Sequence, residues 1–138
     1  MIDIKISADP LNIPSCIEWV RSPSCGGIDV FIGTVRGLTK GEKVIRLEFE
    51  AYENMALNEM KKIAEQALNK WPVENILIHH RTGVLQMGEV PVVIAVAAAH
   101  REDAFNACRY AIDTLKRTVP IWKKEVFEDR EIWVTPHP

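Results

Sequence analysis

The sequence predicts an α+β fold, with helices packed on a mainly antiparallel sheet. Three observations carry this. Short segments that alternate, or that are apolar throughout, recur along the chain: Ile2–Ser7, Ile28–Val35, Val44–Tyr52, Asn75–Thr82, Val84–Met87, Pro91–Ala99 and Arg130–Val134. Three segments carry helical spacing instead: Ile13–Val20, Met55–Lys70 and His100–Val119. Their order is βαββα, then several strands, then α and β, and no internal repeat, linker or low-complexity stretch marks a domain boundary. One domain over residues 1–138 is expected.

Each element has a local reason. Ile2, Ile4 and Ile6 alternate with Asp3 and Lys5 in the first strand. Asn12 and Pro14 are helix-start residues for Ile13–Val20. Ile28–Val35 is so apolar that cover on both faces is expected. Arg36–Lys43 holds Gly37 and Gly41 among charges and reads as a mobile loop. Leu47 and Phe49 oppose Arg46, Glu48 and Glu50, as in a half-buried strand. Leu57, Met60, Ile63, Ala64, Ala67 and Leu68 form one helical stripe, which Trp71-Pro72 ends. Gly83 separates two strands. Phe105, Cys108, Ile112, Leu115 and Val119 form the apolar face of the last helix.

Composition excludes several function classes. The net charge of −2 gives no global reason to bind nucleic acid, so any anion site is a local cluster. The apolar run Val90–Ala99 is too short to cross a bilayer, and the first residues lack a signal-peptide layout, so a cytoplasmic location is expected. The three cysteines, Cys16, Cys25 and Cys108, contain no CxxC pair. Neither a disulfide framework nor a structural zinc site is expected. His79 and His80 are strand neighbours with rings on opposite faces, so they read as structural rather than as joint metal ligands. No Walker or Rossmann glycine loop is present, and no cofactor is implied.

Cations gather at element ends. Ile28–Val35 runs into Arg36, and Pro91–Ala99 runs into His100-Arg101, where a helix begins. Arginine at a helix N-terminus opposes the dipole, and a bound anion would offset that cost. The equally weighted alternative is that Arg101 pairs with Glu102 or Asp103 or points into solvent. The last helix ends in Leu115-Lys116-Arg117-Thr118-Val119-Pro120, followed by Ile121-Trp122-Lys123-Lys124-Glu125. Pro120 stops the helix. Lys116, at the edge of the apolar face, can lay its stem on the core and aim its amine into a cleft. Solvated lysines at a helix end are the commoner meaning of such spacing.

Three segments together carry a resemblance: Phe31-Ile32-Gly33-Thr34-Val35-Arg36, then Ala99-His100-Arg101 with Ala104-Phe105, then Lys116 with Val119-Pro120-Ile121-Trp122-Lys123-Lys124-Glu125. In this order and spacing the chain resembles the large, catalytic subunits of molybdopterin synthase, from its first strand to Trp133. The resemblance implies an α/β-hammerhead-like fold with an added antiparallel subdomain. It implies a sulfurtransferase that converts cyclic pyranopterin monophosphate (precursor Z) into the dithiolene of molybdopterin. The sulfur would come from the C-terminal Gly-Gly thiocarboxylate of a small ubiquitin-like subunit, within a heterotetramer built on a homodimer of large subunits. It implies Lys116 and Lys123 as catalytic residues. Thr34, Val35, Arg36, His100, Arg101, Lys116, Lys123, Lys124 and Glu125 would bind substrate, and no metal is implied. Partial burial beside other cations lowers a lysine's pKa and favours proton transfer, which is the expectation for Lys116. The competing class is a non-enzymatic domain that binds a phosphorylated metabolite and regulates a partner. That class explains the arginines but gives no reason for Lys116 and Lys123 beside Trp122.

Overall fold

The computed structural model describes residues 1–134; Thr135–Pro138, which the resemblance barely covers, lie outside them. The element order is β1 (Ile2–Ser7), α1 (Ile13–Val20), β2 (Gly27–Gly33), β3 (Leu38–Thr39), β4 (Glu42–Lys43), β5 (Arg46–Ala51), α2 (Glu53–Lys70), β6 (Val73–Arg81), β7 (Gly83–Gln86), β8 (Val92–Ala98), α3 (Arg101–Thr118), β9 (Ile121–Val126) and β10 (Glu131–Val134).

Two four-stranded sheets form the frame. The first has the order β1-β6-β8-β2 and the second β10-β9-β5-β7. Among the described residues only β1 and β6 pair in parallel; every other pairing is antiparallel. On one face of the first sheet, α2 and α3 bury Met60, Ile63, Ala107, Ala111 and Leu115 against Ile76, Ile78, Ile94 and Val96. On the other face, α1 buries Cys16 and Val20 against Leu77, Val93 and Ala95. β8, apolar at every position, is covered on both faces. A third cluster, Val35, Val44, Leu47, Phe49, Leu85 and Phe127, belongs to the second sheet. The helices start and stop where their sequences direct. Asn12 accepts a hydrogen bond from the Ser15 amide at 3.0 Å, and Val119 takes the extended conformation that Pro120 demands.

Three expectations need correction, and one strand is added to those the spacing marks. β2 is not covered on both faces: it is an edge strand, with Ile28 40% and Ile32 39% exposed. Arg36–Lys43 is not loop throughout. It holds the β3–β4 hairpin, whose two-residue turn has positive φ at both Lys40 (50°) and Gly41 (80°), as a twist-matched turn requires. Phe105 does not join the buried face of α3 but is 55% exposed; small residues, Ala104, Ala107 and Ala111, let that helix sit close to the sheet. Ile121–Val126, whose spacing marks no strand, is central to the second sheet.

Candidate functional site

Pro120 separates α3 from β9 and thereby turns one lysine toward another. Lys116 stands on the last turn of α3, beside the buried Leu115. Lys123 stands on β9, opposite Phe49 of β5. Both line one cleft of ≈ 670 Å³ between the end of the first sheet and the inner face of the second. Arg36, at the exit of β2, lines it too.

Strand alternation sorts the neighbours of Lys123. Ile121, Lys123 and Glu125 share the face of Leu47 and Phe49 and enter the cleft. Trp122 and Lys124 point the other way. Lys124 lies 3.3 Å from both Glu48 and Glu131, and 5.3 Å from the Trp133 ring centre. Adjacent lysines therefore meet opposite fates. The hydrogen bond to Glu48 raises the pKa of Lys124, with Glu131 adding to it. Burial lowers that of Lys123, and the charges of Lys116 and Arg36 lower it further against a smaller pull from Glu125. The depressed amine is thus found on Lys123, whereas Lys116 is exposed.

Thr34 and Arg36 line the cleft, and the residue between them does not. Val35 is buried. Its amide donates to the Glu89 carbonyl at 2.9 Å, and its own carbonyl accepts from the Gly88 amide at 2.9 Å. That clamp aims the two flanking side chains to one side. At Gly33 a Cβ would fall 2.6 Å from Val92 Cγ1, so only glycine fits at this wall. Glu125 Oε2 accepts a hydrogen bond from Thr39 Oγ1 at 2.5 Å, and Arg130 pairs with Glu42, so the hairpin is fastened across the cleft. Among the described residues no ion pair reaches Arg36, Lys116 or Lys123. These cations are left for something else.

His100 and Arg101 are not part of this cleft. They open α3, and Lys116 is near its end, roughly 22 Å away at 1.5 Å per residue. Both are exposed. Arg101 takes no carboxylate partner among the described residues: of the alternatives to an anion site, pairing with Glu102 or Asp103 is not formed and the side chain lies exposed to solvent.

The cleft also holds a residue that sequence reasoning assigned to structure. His79 and His80 do face opposite ways. His79 Nε2 lies 2.9 Å from Asp3 Oδ2 and its Nδ1 lies 3.6 Å from Cys16 Sγ, under α1. His80 continues the face of Ile76 and Ile78 to the point where the helices stop, and there it lines the cleft. The period-two pattern could have flagged it as a polar residue ending an apolar face. None of the thiols is primed for attack. Burial, and for Cys25 a 3.0 Å contact with Glu74, raises each pKa, that of Cys108 to about 12.

The class of site is thus a cationic cleft with an apolar floor on an α+β scaffold. Known proteins share this scaffold. The family model described as MoaE protein matches residues 6–118. The molybdopterin synthase catalytic subunit of Taeniopygia guttata is 48% identical over 94% of this chain and 84% of its own. The crystal structure of molybdopterin synthase from Staphylococcus aureus matches 94% of both chains with a TM-score of 0.90 at 41% identity. A Helicobacter pylori structure, described as a complex of subunits 1 and 2 of molybdopterin-converting factor, shares the fold at a TM-score of 0.77 and 22% identity. The chain belongs to the MoaE family, the catalytic subunits of molybdopterin synthase.

Proposed function

We propose that the cleft of Arg36, Lys116 and Lys123 is where sulfur is transferred to cyclic pyranopterin monophosphate to form the molybdopterin dithiolene. One observation carries this reading: two lysines from different elements enter one cleft with no carboxylate ion-paired to either among the described residues. The reactants are anions, a phosphate and a thiocarboxylate, and charge-assisted contacts hold such groups.

Each transfer exchanges a substrate oxygen for sulfur without a change of oxidation state. The thiocarboxylate sulfur attacks carbon, a C–S bond forms, and the C–O bond breaks with a proton delivered to the leaving oxygen. Water then cleaves the resulting thioester, so the carrier departs as a carboxylate and sulfur stays on the substrate. Lys116 attracts the anionic tail and steadies charge at the reacting carbon. Lys123, whose amine is lowered in pKa, carries the proton. Arg36 and Thr34 hold anionic oxygens. Glu125 keeps Lys123 and the hairpin in register, and Val35 sets the direction of its neighbours.

The sulfur carrier is a small ubiquitin-like subunit ending in Gly-Gly; the two-subunit complex described for Helicobacter pylori supports such a partner. His100 and Arg101 join the substrate site from a second copy of this chain, in a homodimer that forms the core of a heterotetramer. The unpaired edge of β2, with Ile28 and Ile32 exposed, suits association. Lys124, paired on the far face, supports the sheet from behind. All three cysteines are free, which suits a reducing, cytoplasmic compartment.

The test is the reconstituted reaction with thiocarboxylated small subunit and cyclic pyranopterin monophosphate. Lys116→Ala and Lys123→Ala each lower dithiolene formation by roughly 100-fold or more. Near-normal turnover in either variant overturns that lysine's role.

A further inference from the structure

The cleft contains a buried polar side chain for which the reaction above has no use. His80 is only 5% exposed, yet it lines the cleft. Its two nitrogens can be told apart. Nδ1 lies 2.8 Å from the Arg81 carbonyl oxygen, which can only accept, so Nδ1 carries the ring's proton. Burial, reinforced by the Lys116 charge, keeps the ring neutral by lowering its pKa to about 4. Nε2 is therefore a bare acceptor. No protein group donates to it among the described residues. Nor is it sealed in the core, unlike Thr114 Oγ1, the single enclosed side-chain atom left without a partner among those residues.

The surroundings give this lone pair its meaning. Phe49 packs edge-on against the ring at 5.4 Å, and Phe31, Val92 and Leu115 supply apolar walls. Arg36, Lys116 and Lys123 offer donors only, and Glu125 is already engaged by Thr39. A cleft that otherwise selects acceptors and anions thus presents one buried, open acceptor. Once a bound molecule displaces water from the cleft, such a group stays unpaired unless that molecule brings a donor, and an analogue without one is disfavoured.

We propose that His80 Nε2 accepts a hydrogen bond from an N–H of the reactant seated beside Lys116, and so is a specificity-determining residue of this site. The inference rests on the proposed function, in which two reactants carry such groups: the pterin ring and the glycine amides of the sulfur-carrying tail. The chemistry is the same for both, and the experiment separates them.

Cyclic pyranopterin monophosphate and the small subunit are titrated separately against the wild type and His80→Phe, His80→Asn and His80→Gln, each checked for folding by circular dichroism. Glutamine places an acceptor where Nε2 was; asparagine keeps only the donor where Nδ1 was. The expected result is a loss of roughly 10-fold or more in affinity for one of the two ligands in the Phe and Asn variants, largely regained in the Gln variant. The ligand that loses affinity is the one whose N–H His80 reads. Unchanged affinity for both in the Phe variant overturns the proposal. So does rescue by Asn but not Gln, which makes the Arg81 carbonyl the residue's whole purpose. Equal loss of both ligands with no rescue marks a collapsed cleft and also overturns it. If the Phe variant does not fold, the Asn–Gln pair still decides. Failure of the wild type to form dithiolene sinks the proposed function instead, and is seen before any His80 variant is compared.

Discussion

Lys116 and Lys123 reach the same cleft from α3 and β9, and the charge of the first helps hold the amine of the second below its ordinary range. Burial is the larger cause; Lys116 comes next and Arg36 adds to it. Lys116→Gln therefore raises the pKa of Lys123 while leaving it below that of a solvated lysine. The measurement is an NMR titration of the lysine side chains, with Lys123→Arg used to assign the resonance. A Lys123 titration that does not move in Lys116→Gln shows that the two side chains do not sense each other.

That pairing was legible in part. The helix stripe ending at Pro120 places Lys116 at the margin of the core, and the structure puts it there. Clean periodicity likewise marks α1, α2 and β8, whose buried side chains join apolar clusters. β9 was hidden because its cleft-facing side is Ile121, Lys123 and Glu125, so a strand with a polar inward face reads as solvated loop. His80 was hidden because only the second sheet, distant in sequence, turns the end of β6 into a cleft wall. The separation of Arg36 from His100 follows from one pairing that spacing does not reveal. β2 and β8 run antiparallel, Gly33 against Val92 and Gly27 against Ala98, so the exits of the two strands lie at opposite ends of the sheet.

The same antiparallel pairing makes a prediction about assembly. If one active site takes Lys116 from one copy and Arg101 from another, two inactive variants can complement. Lys116→Ala and Arg101→Ala chains, each inactive alone, are mixed under conditions that exchange subunits. Random pairing makes half of the dimers mixed, each with one intact site, so about a quarter of wild-type turnover returns. No recovery, with exchange verified by mass spectrometry, places Arg101 outside the shared site.

The hairpin is a fastened cover rather than a free loop. Thr39 bonds Glu125 and Glu42 pairs with Arg130, so both strands of the hairpin are tied to the second sheet or its connecting turn. Glu125 is partly buried and the Arg130 pair is exposed, so the first tie is the stronger. Thr39→Val speeds amide exchange over residues 38–43 by roughly 10-fold, as loss of one hydrogen bond to a carboxylate implies. Arg130→Ala has a smaller effect. Exchange in α3 stays unchanged in both. A hairpin that exchanges equally fast in the wild type and Thr39→Val carries no such tie.

His80 also sets a pH dependence of stability. In the unfolded chain its imidazole takes up a proton near its ordinary value of 6.5, whereas in the folded cleft it does so only near 4. Between those values the unfolded state binds more protons, so stability contributed by this residue is fully present above pH 6.5 and is lost as pH falls toward 4. The difference is about 3 kcal/mol on the scale of 1.36 kcal/mol per unit. Carboxylates held low by their partners, such as Glu89 beside Gln86 and Arg81, add to acid sensitivity, so the variant comparison is what isolates the histidine. Urea unfolding of the wild type and His80→Gln at pH 7 and pH 4.5 measures it. The wild type loses more stability on acidification than the glutamine variant, most of that figure being reached by pH 4.5. Equal losses in the two proteins mean that the ring is not held neutral by its burial, and the tautomer assigned to it fails with that result.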